Sequence, residues 1–269
     1  MKRTIIIAAV CCMVLGILLF GAAFALSGYD IIAMGESNVE FKTYTTKEGI
    51  GEIVISSYDM GIDIVASDGK EVVFEYYEDP ELEPYVIDES NQRFSAVQKP
   101  KKWSIFSRSL FSGLGYIGKR NTLCVPRDFE GIIRIDTSNG SINVNGINAD
   151  KLTLDTSNGS VTLSAVSSRS DITIDTSNGK VELSDVTSGQ RLQAVSSNGK
   201  IEFSRITAND IVLETSNGKI TGTVSGSVSD YKIHTRTSNG KNNLNNTQSG
   251  EKSLRAITSN GKIEIFFAD

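Results

Sequence analysis

Few residues in this chain could do chemistry. There is one histidine, His234, and three cysteines, of which Cys11 and Cys12 sit in an apolar run and Cys124 stands alone. A single thiol cannot build a disulfide framework, so Cys124 is expected to be a small core residue. No glycine-rich phosphate loop, zinc-ligand spacing or nucleophile elbow occurs. Asp136, Asp155 and Asp175 recur at steps of 19 and 20 residues, but Val195 and Arg236 break the series. The calcium-binding β-roll motif is absent. No unique carboxylate cluster stands apart from the recurring positions, as a polysaccharide-cleaving β-helix would need. The reading is therefore no catalytic residue, no metal and no cofactor.

What recurs instead is a tetrapeptide, Thr-Ser-Asn-Gly, seven times, with Ser196 once replacing the threonine. Its asparagines are Asn139, Asn158, Asn178, Asn198, Asn217, Asn239 and Asn260, at steps of 19, 20, 20, 19, 22 and 21 residues. Its glycines are Gly140, Gly159, Gly179, Gly199, Gly218, Gly240 and Gly261. A near-constant period of this size marks a repeat architecture. Two residues after the asparagine stand Ser141, Ser160, Lys180, Lys200, Lys219, Lys241 and Lys262; Glu182, Glu202 and Glu264 follow two residues later. These columns read as a solvated face or as a cationic stripe for an anionic polymer.

The elements that must carry these columns follow from alternation. Six and four residues before each asparagine, and three and five after it, the residues are mostly apolar; those between are polar. Period-two patterning on both sides of a corner means strand, turn, strand, turn. A meander of hairpins and a β-solenoid with one coil per repeat both fit, and the solenoid is preferred. Only stacked corners, one strand spacing (~4.8 Å) apart, reward identity at every turn. Amide ladders can then run up the asparagine column. The asparagines are expected to turn inward, and the glycines to take positive φ at no steric cost. Coil six breaks the pattern with Thr235 and Asn242, and Gly222 precedes it, so a bulge or loop is expected between Thr221 and Tyr231. All four prolines precede residue 127, as a continuous sheet requires.

The fold class read from the sequence is all-β: a single-domain β-solenoid of ~20-residue coils preceded by one N-terminal transmembrane helix. The divisions are 1–3, a cytoplasmic tail; 4–26, the spanning helix or a signal peptide; 27–37, a linker; 38–130, irregular starting coils; and 131–269, the regular repeats. No charge lies between Arg3 and Asp30, and such a run covers the ~30 Å hydrocarbon core. Lys2 and Arg3 place the N-terminus in the cytoplasm and the rest outside. Ala23-Phe24-Ala25 also fits a signal cleavage site, so a cleaved leader stays open. Between residues 99 and 120 lies a basic insert with Lys99, Lys101, Lys102, Trp103, Arg108, Lys119 and Arg120. It reads as a solvated excursion or as a patch for an anionic membrane or cell-wall polymer. With Lys180, Lys200 and Lys219, these are the candidate anion-contacting residues. The formal charge of −5 speaks against nucleic acid.

The Thr-Ser-Asn-Gly coils, the Gly61-Ile62-Asp63-Ile64 phrase and the Leu123-Cys124-Val125-Pro126 strand end resemble the bacterial putative-adhesin family of β-strand repeats. The likeness covers residues 38–269. It implies a solenoid on a bacterial, Gram-positive surface and carries over no catalytic residue. The function implied is non-enzymatic surface binding, adhesion or scaffolding, with a cell-wall polymer or surface protein as partner. The alternatives are an envelope-stress sensor acting through a membrane partner and a carbohydrate-active β-helix enzyme.

Overall fold

The computed structural model describes residues 2–26, 28, 39–81, 83–99 and 118–268. Helix α1 (Lys2–Leu26) comes first. Among the described residues no helix is long and apolar enough to cross a membrane.

The strands that open the β-domain are β1 (Glu40–Thr45), β2 (Glu52–Ser57), β3 (Gly61–Ser67), β4 (Val73–Glu78), β5 (Tyr85–Ser90), β6 (Arg93–Gln98) and β7 (Arg120–Pro126). The repeats then supply β8 (Ile132–Thr137) and β9 (Ile142–Asn145), a short β10 (Asn148–Ala149), β11 (Lys151–Thr156) and β12 (Val161–Ser168), and β13 (Asp171–Thr176) and β14 (Val181–Ser188). They continue with β15 (Arg191–Ser196) and β16 (Ile201–Thr207), β17 (Asp210–Thr215) and β18 (Ile220–Ser225), β19 (Tyr231–Thr237), and β20 (Lys252–Thr258) and β21 (Ile263–Ala268). One strand of each pair joins an eleven-stranded sheet and the other a ten-stranded sheet. Every strand pairing between repeats is parallel, for example Leu152 with Ile133 and Ile172, and the register shifts only between Phe203 and Ile206, where β16 meets β18. The two sheets face each other across one core, which is the solenoid expected from the stacked corners.

Alternation sets which side chains enter the core. Ile133, Leu152, Ile172, Leu192, Ile211 and Leu254 are buried in one sheet, facing Ile142, Val161, Val181, Ile201, Ile220 and Ile263 in the other. A lone coil of this size cannot close a core, and stacking makes it continuous.

The coils do not stack in chain order throughout. β17 and β18 pair with β20 and β21, so the seventh coil lies directly on the fifth. The sixth is displaced to the tip, where β19 pairs with β20. The chain leaves through Gly226 and a short 3-10 helix (Val228–Asp230) inside the expected loop. The physical reason lies in the columns. The seventh coil offers Leu254, Ala256, Ile263 and Ile265 to two neighbours, all buried. The sixth offers Thr235 and Asn242, which suit a position with one open side. There Asn246 accepts from the Thr235 amide (2.7 Å) and Asn243 bonds Ile265 in both directions (2.8 and 2.9 Å), closing sheet edges that would otherwise be bare. The opening end mirrors this: β2 and β3 lie against β8 and β9, with β4 to β7 placed outside them.

Each residue of the corner has a distinct task. The threonine points inward and is buried. Thr176 Oγ1 donates to the Gly159 carbonyl and accepts from the Gly179 N–H, both at 3.1 Å. It thus satisfies two buried backbone groups, each costly to leave unpaired. Ser196 does the same with its hydroxyl, which explains its acceptance there. The serine carbonyl receives two amides from the next rung, as Ser157 does from Ser177 and Asn178. The asparagines point outward and are exposed, not inward as expected, because the threonine already holds the inner side. The corner glycines do not adopt positive φ. They are needed for close approach: a Cβ on Gly179 would lie 1.7 Å from the Gly159 oxygen.

Gly179→Ala should therefore cost ~3 kcal/mol or more, as overpacking against backbone does. Asn178→Ala, which removes two exposed ladder bonds, should cost ~1 kcal/mol. Urea unfolding of the two variants checks this, and equal losses would refute the close-approach account.

Candidate functional site

The exposed corner column is a directional amide ladder. Asn158 Nδ2 donates to Asn139 Oδ1 at 2.6 Å, Asn178 to Asn158, Asn198 to Asn178 and Asn217 to Asn198, the last three at 2.7 Å. Asn260 then donates to Asn217 at 2.6 Å and Asn239 to Asn260 at 2.8 Å, following the spatial order of the coils. At the other end Asn139 donates to the Asp59 carboxylate at 2.5 Å. A negative group thus sits where every amide N–H points. Gly140 rests on Met60, so residues 58–61 form the corner of an opening rung.

Beside the ladder, on the outer face of the eleven-stranded sheet, run the lysines. Lys180 pairs with Glu182, Lys200 with Glu202 at 2.6 Å, and Lys262 with Glu264 at 2.5 Å. Lys219 reaches across to Glu202 at 2.8 Å. Hydrogen bonds from Lys200 and Lys219 hold the Glu202 carboxyl below its usual range. At these rungs the columns form a lattice of alternating sign. The signal was in the sequence: residues two apart on one strand share a face.

Only part of the basic insert lies within the described residues. Lys101, Lys102, Trp103 and Arg108 lie outside the described residues. Lys99 is exposed at the end of β6. Lys119 lies over the Tyr77 ring, 5.6 Å from its centroid. Arg120 is an internal clamp rather than a surface contact. Its guanidinium bonds both Asp63 oxygens (2.8 and 2.7 Å) and the Ser141 carbonyl (3.1 Å), lying where a side chain on Gly61 would clash. Burial opposes ionisation of Asp63, but bonds from Arg120 and Asn143 outweigh it and hold the carboxyl below its ordinary range. Sequence reasoning missed this pair because Asp63 and Arg120 are far apart in the chain.

A shallow groove of about 440 Å³ crosses three rungs of the same outer face, lined by Thr162, Glu182, Glu202, Ser164, Ser184 and Phe203. It lies beside a bend at which Ala165, Asp185 and Arg205 take φ of 51, 55 and 53°. Such left-handed residues are uncommon outside glycine, and here they stack in successive rungs. His234 is exposed on the other sheet's outer face. Cys124 is half-buried and outward, not a core residue as expected. Burial, then Glu75, pushes its thiol pKa up, away from reactivity.

Asp136, Asp155 and Asp175 occupy adjacent rungs of the ten-stranded sheet. Burial, then the charges of Asp175 and Asp136, raises the Asp155 pKa; burial raises that of Asp175. The nearby Lys151 pairs with Asp171 (2.8 Å). Among the described residues no group of three or more His, Cys, Asp or Glu could hold a metal ion.

A carboxyl raised in the folded state binds its proton more tightly folded than unfolded, so its ionisation destabilises the fold. That cost is present at neutral pH, is relieved as pH falls through the raised value and is gone below the ordinary ~3.9. Asp155→Asn should stabilise the protein at pH 7 by ~0.2–1 kcal/mol per like-charged neighbour removed. The gain should vanish below about pH 4. Urea midpoints of the two proteins across pH test this; a gain that grows on acidification would contradict it.

No curated protein matches the chain. Among solved structures it is similar to a putative cell adhesion protein from Clostridium sporogenes (14% identity, 85% of this chain and 100% of that one, TM-score 0.36). It is also similar to a putative adhesin from Bacteroides fragilis (13%, 87% and 99%, TM-score 0.49) and to one from Parabacteroides merdae (12%, 87% and 98%, TM-score 0.28). The profile of the Toastrack DUF4097 family matches residues 50–220 and 130–266, together most of the β-domain. The chain is a member of the Toastrack DUF4097 family.

Proposed function

We propose that this protein is a non-enzymatic binding or scaffold module, held at a membrane by α1 and displaying its solenoid outside the cytoplasm. Support for the anchor comes from the backbone of α1, which runs for 25 residues, ~37 Å against a ~30 Å hydrocarbon core. Its only charges, Lys2 and Arg3, lie at its first turn, which favours a cytoplasmic N-terminus.

The observation that carries the binding reading is the groove over Thr162, Glu182 and Glu202. Its walls repeat from rung to rung at one strand spacing, ~4.8 Å. Hydroxyls of Ser164, Ser184 and Ser204 line its length. A rigid row of equally spaced polar groups suits an extended polymer with a repeat of its own. With the lysines neutralised by glutamates, recognition rests on hydrogen bonding rather than on net positive charge. A cell-wall glycopolymer fits this chemistry, and an extended segment of a surface protein is the second candidate.

Full-length protein in detergent should co-sediment with purified cell-wall glycopolymer, and high salt should weaken the binding little. Ser184→Trp, which fills the groove from its outer wall, should lower retention at least about tenfold while leaving the unfolding midpoint unchanged, since binding sites lose affinity when a bulky group occupies them. Absence of retention on cell-wall polymers and on surface-protein fractions alike would overturn the reading.

A further inference from the structure

The ladder places seven asparagine–glycine pairs on the surface, and six of them are held from both sides. Asparagine followed by glycine is the pair most open to cyclisation, because glycine has no Cβ to hinder approach of its nitrogen to the side-chain carbonyl. Within the stack that approach is blocked. At Asn178, Nδ2 donates to Asn158 while Oδ1 accepts from Asn198, and the N–H of buried Gly179 is bound to buried Thr176. The same holds at Asn139, Asn158, Asn198, Asn217 and Asn260, whose glycines are all buried. An eighth pair, Asn145-Gly146, has its glycine N–H in the sheet, donating to the Ser164 carbonyl at 3.0 Å.

Asn239-Gly240 keeps the Nδ2 bond and the glycine N–H bond but differs in two respects. β19 is the last strand of its sheet, so among the described residues no further rung donates to Asn239 Oδ1, and the side chain is tied through Nδ2 to Asn260. Gly240 is exposed, alone among the corner glycines, and its N–H bonds a Thr237 hydroxyl that is itself half-buried (3.0 Å). The local sequence is not the cause, because Ser-Asn-Gly-Lys occurs identically at Asn178, Asn198, Asn217, Asn239 and Asn260.

We propose that Asn239 is a site of spontaneous deamidation confined to the distal tip of the solenoid. The Gly240 nitrogen, losing its proton, bonds to Asn239 Cγ. The Cγ–Nδ2 bond breaks and ammonia leaves, giving a cyclic imide. Water then adds at either imide carbonyl and opens the ring to aspartate or isoaspartate. Either product lacks the Nδ2 donor and presents an oxygen to Asn260 Oδ1, so the last ladder bond is lost. The effect stops there, because Asn260 remains bound to Asn217.

The test is incubation of the full-length protein at 37 °C and mildly alkaline pH, followed by peptide mass spectrometry for the +1 Da product at every Asn-Gly pair. Asn239 should convert at least about tenfold faster than Asn178, Asn198, Asn217 and Asn260. In urea the five Ser-Asn-Gly-Lys sites should convert at similar rates. The Asn239→Gln protein should show no fast site when folded. Uniform conversion along the folded ladder would overturn the proposal. So would a faster interior site, or an Asn239 that stays intact while the urea-unfolded chain reacts.

Discussion

One contact governs the stack: each corner glycine rests on the carbonyl oxygen of the corner glycine in the preceding rung. A methyl group would fall 1.7 to 1.9 Å from that oxygen at Gly159, Gly179, Gly199, Gly218, Gly240 and Gly261. No rung can slip by even one residue without driving a side chain into that space. Register then fixes everything beside it. The threonine hydroxyl finds one carbonyl behind it and one amide ahead, the apolar columns align, and the asparagines meet at hydrogen-bond distance. The ladder looks like the organising feature from outside, but it follows from backbone contact on the inside.

The same constraint makes the ends the difficult part of the fold. Interior rungs have a partner above and below; terminal rungs expose strand edges and half a core. Both ends are handled by sending chain out past a regular rung and bringing it back. At the opening end, β4 to β7 cover the rung made by β2 and β3, with Arg120 clamped to Asp63. At the tip, the coil with the poorest apolar columns is the one left outside, its edges filled by asparagine side chains. Residues that look like flaws in a repeat are, at this position, a cover.

Much of this could be read from the sequence and some could not. The period, the two strands per coil and the inward parity of Ile133 or Leu152 follow from alternation alone, as does the outward His234. The irregularity of coil six was visible in Thr235 and Asn242. Its displacement was not, because a column pattern does not say which rungs are neighbours. The asparagine column points outward against expectation, because the buried glycine amide and carbonyl are met by the threonine hydroxyl and leave the asparagine no inner partner. The pairing of the lysine column was legible in part, because Glu182, Glu202 and Glu264 stand two residues after their lysines and share that face. The Asp63–Arg120 clamp had no local signal at all.

The swapped order of the last coils also bears on the order in which the chain can fold. A solenoid can in principle extend rung by rung as residues become available. Here β19 has no strand to rest on except β20, which is made from residues that come later. A chain synthesised from its N-terminus holds residues 231–250 without a seat until residues 252–268 have also been made. The final insertion then secures both coils in one step. Closure of the tip therefore waits on the strands made last, β20 and β21.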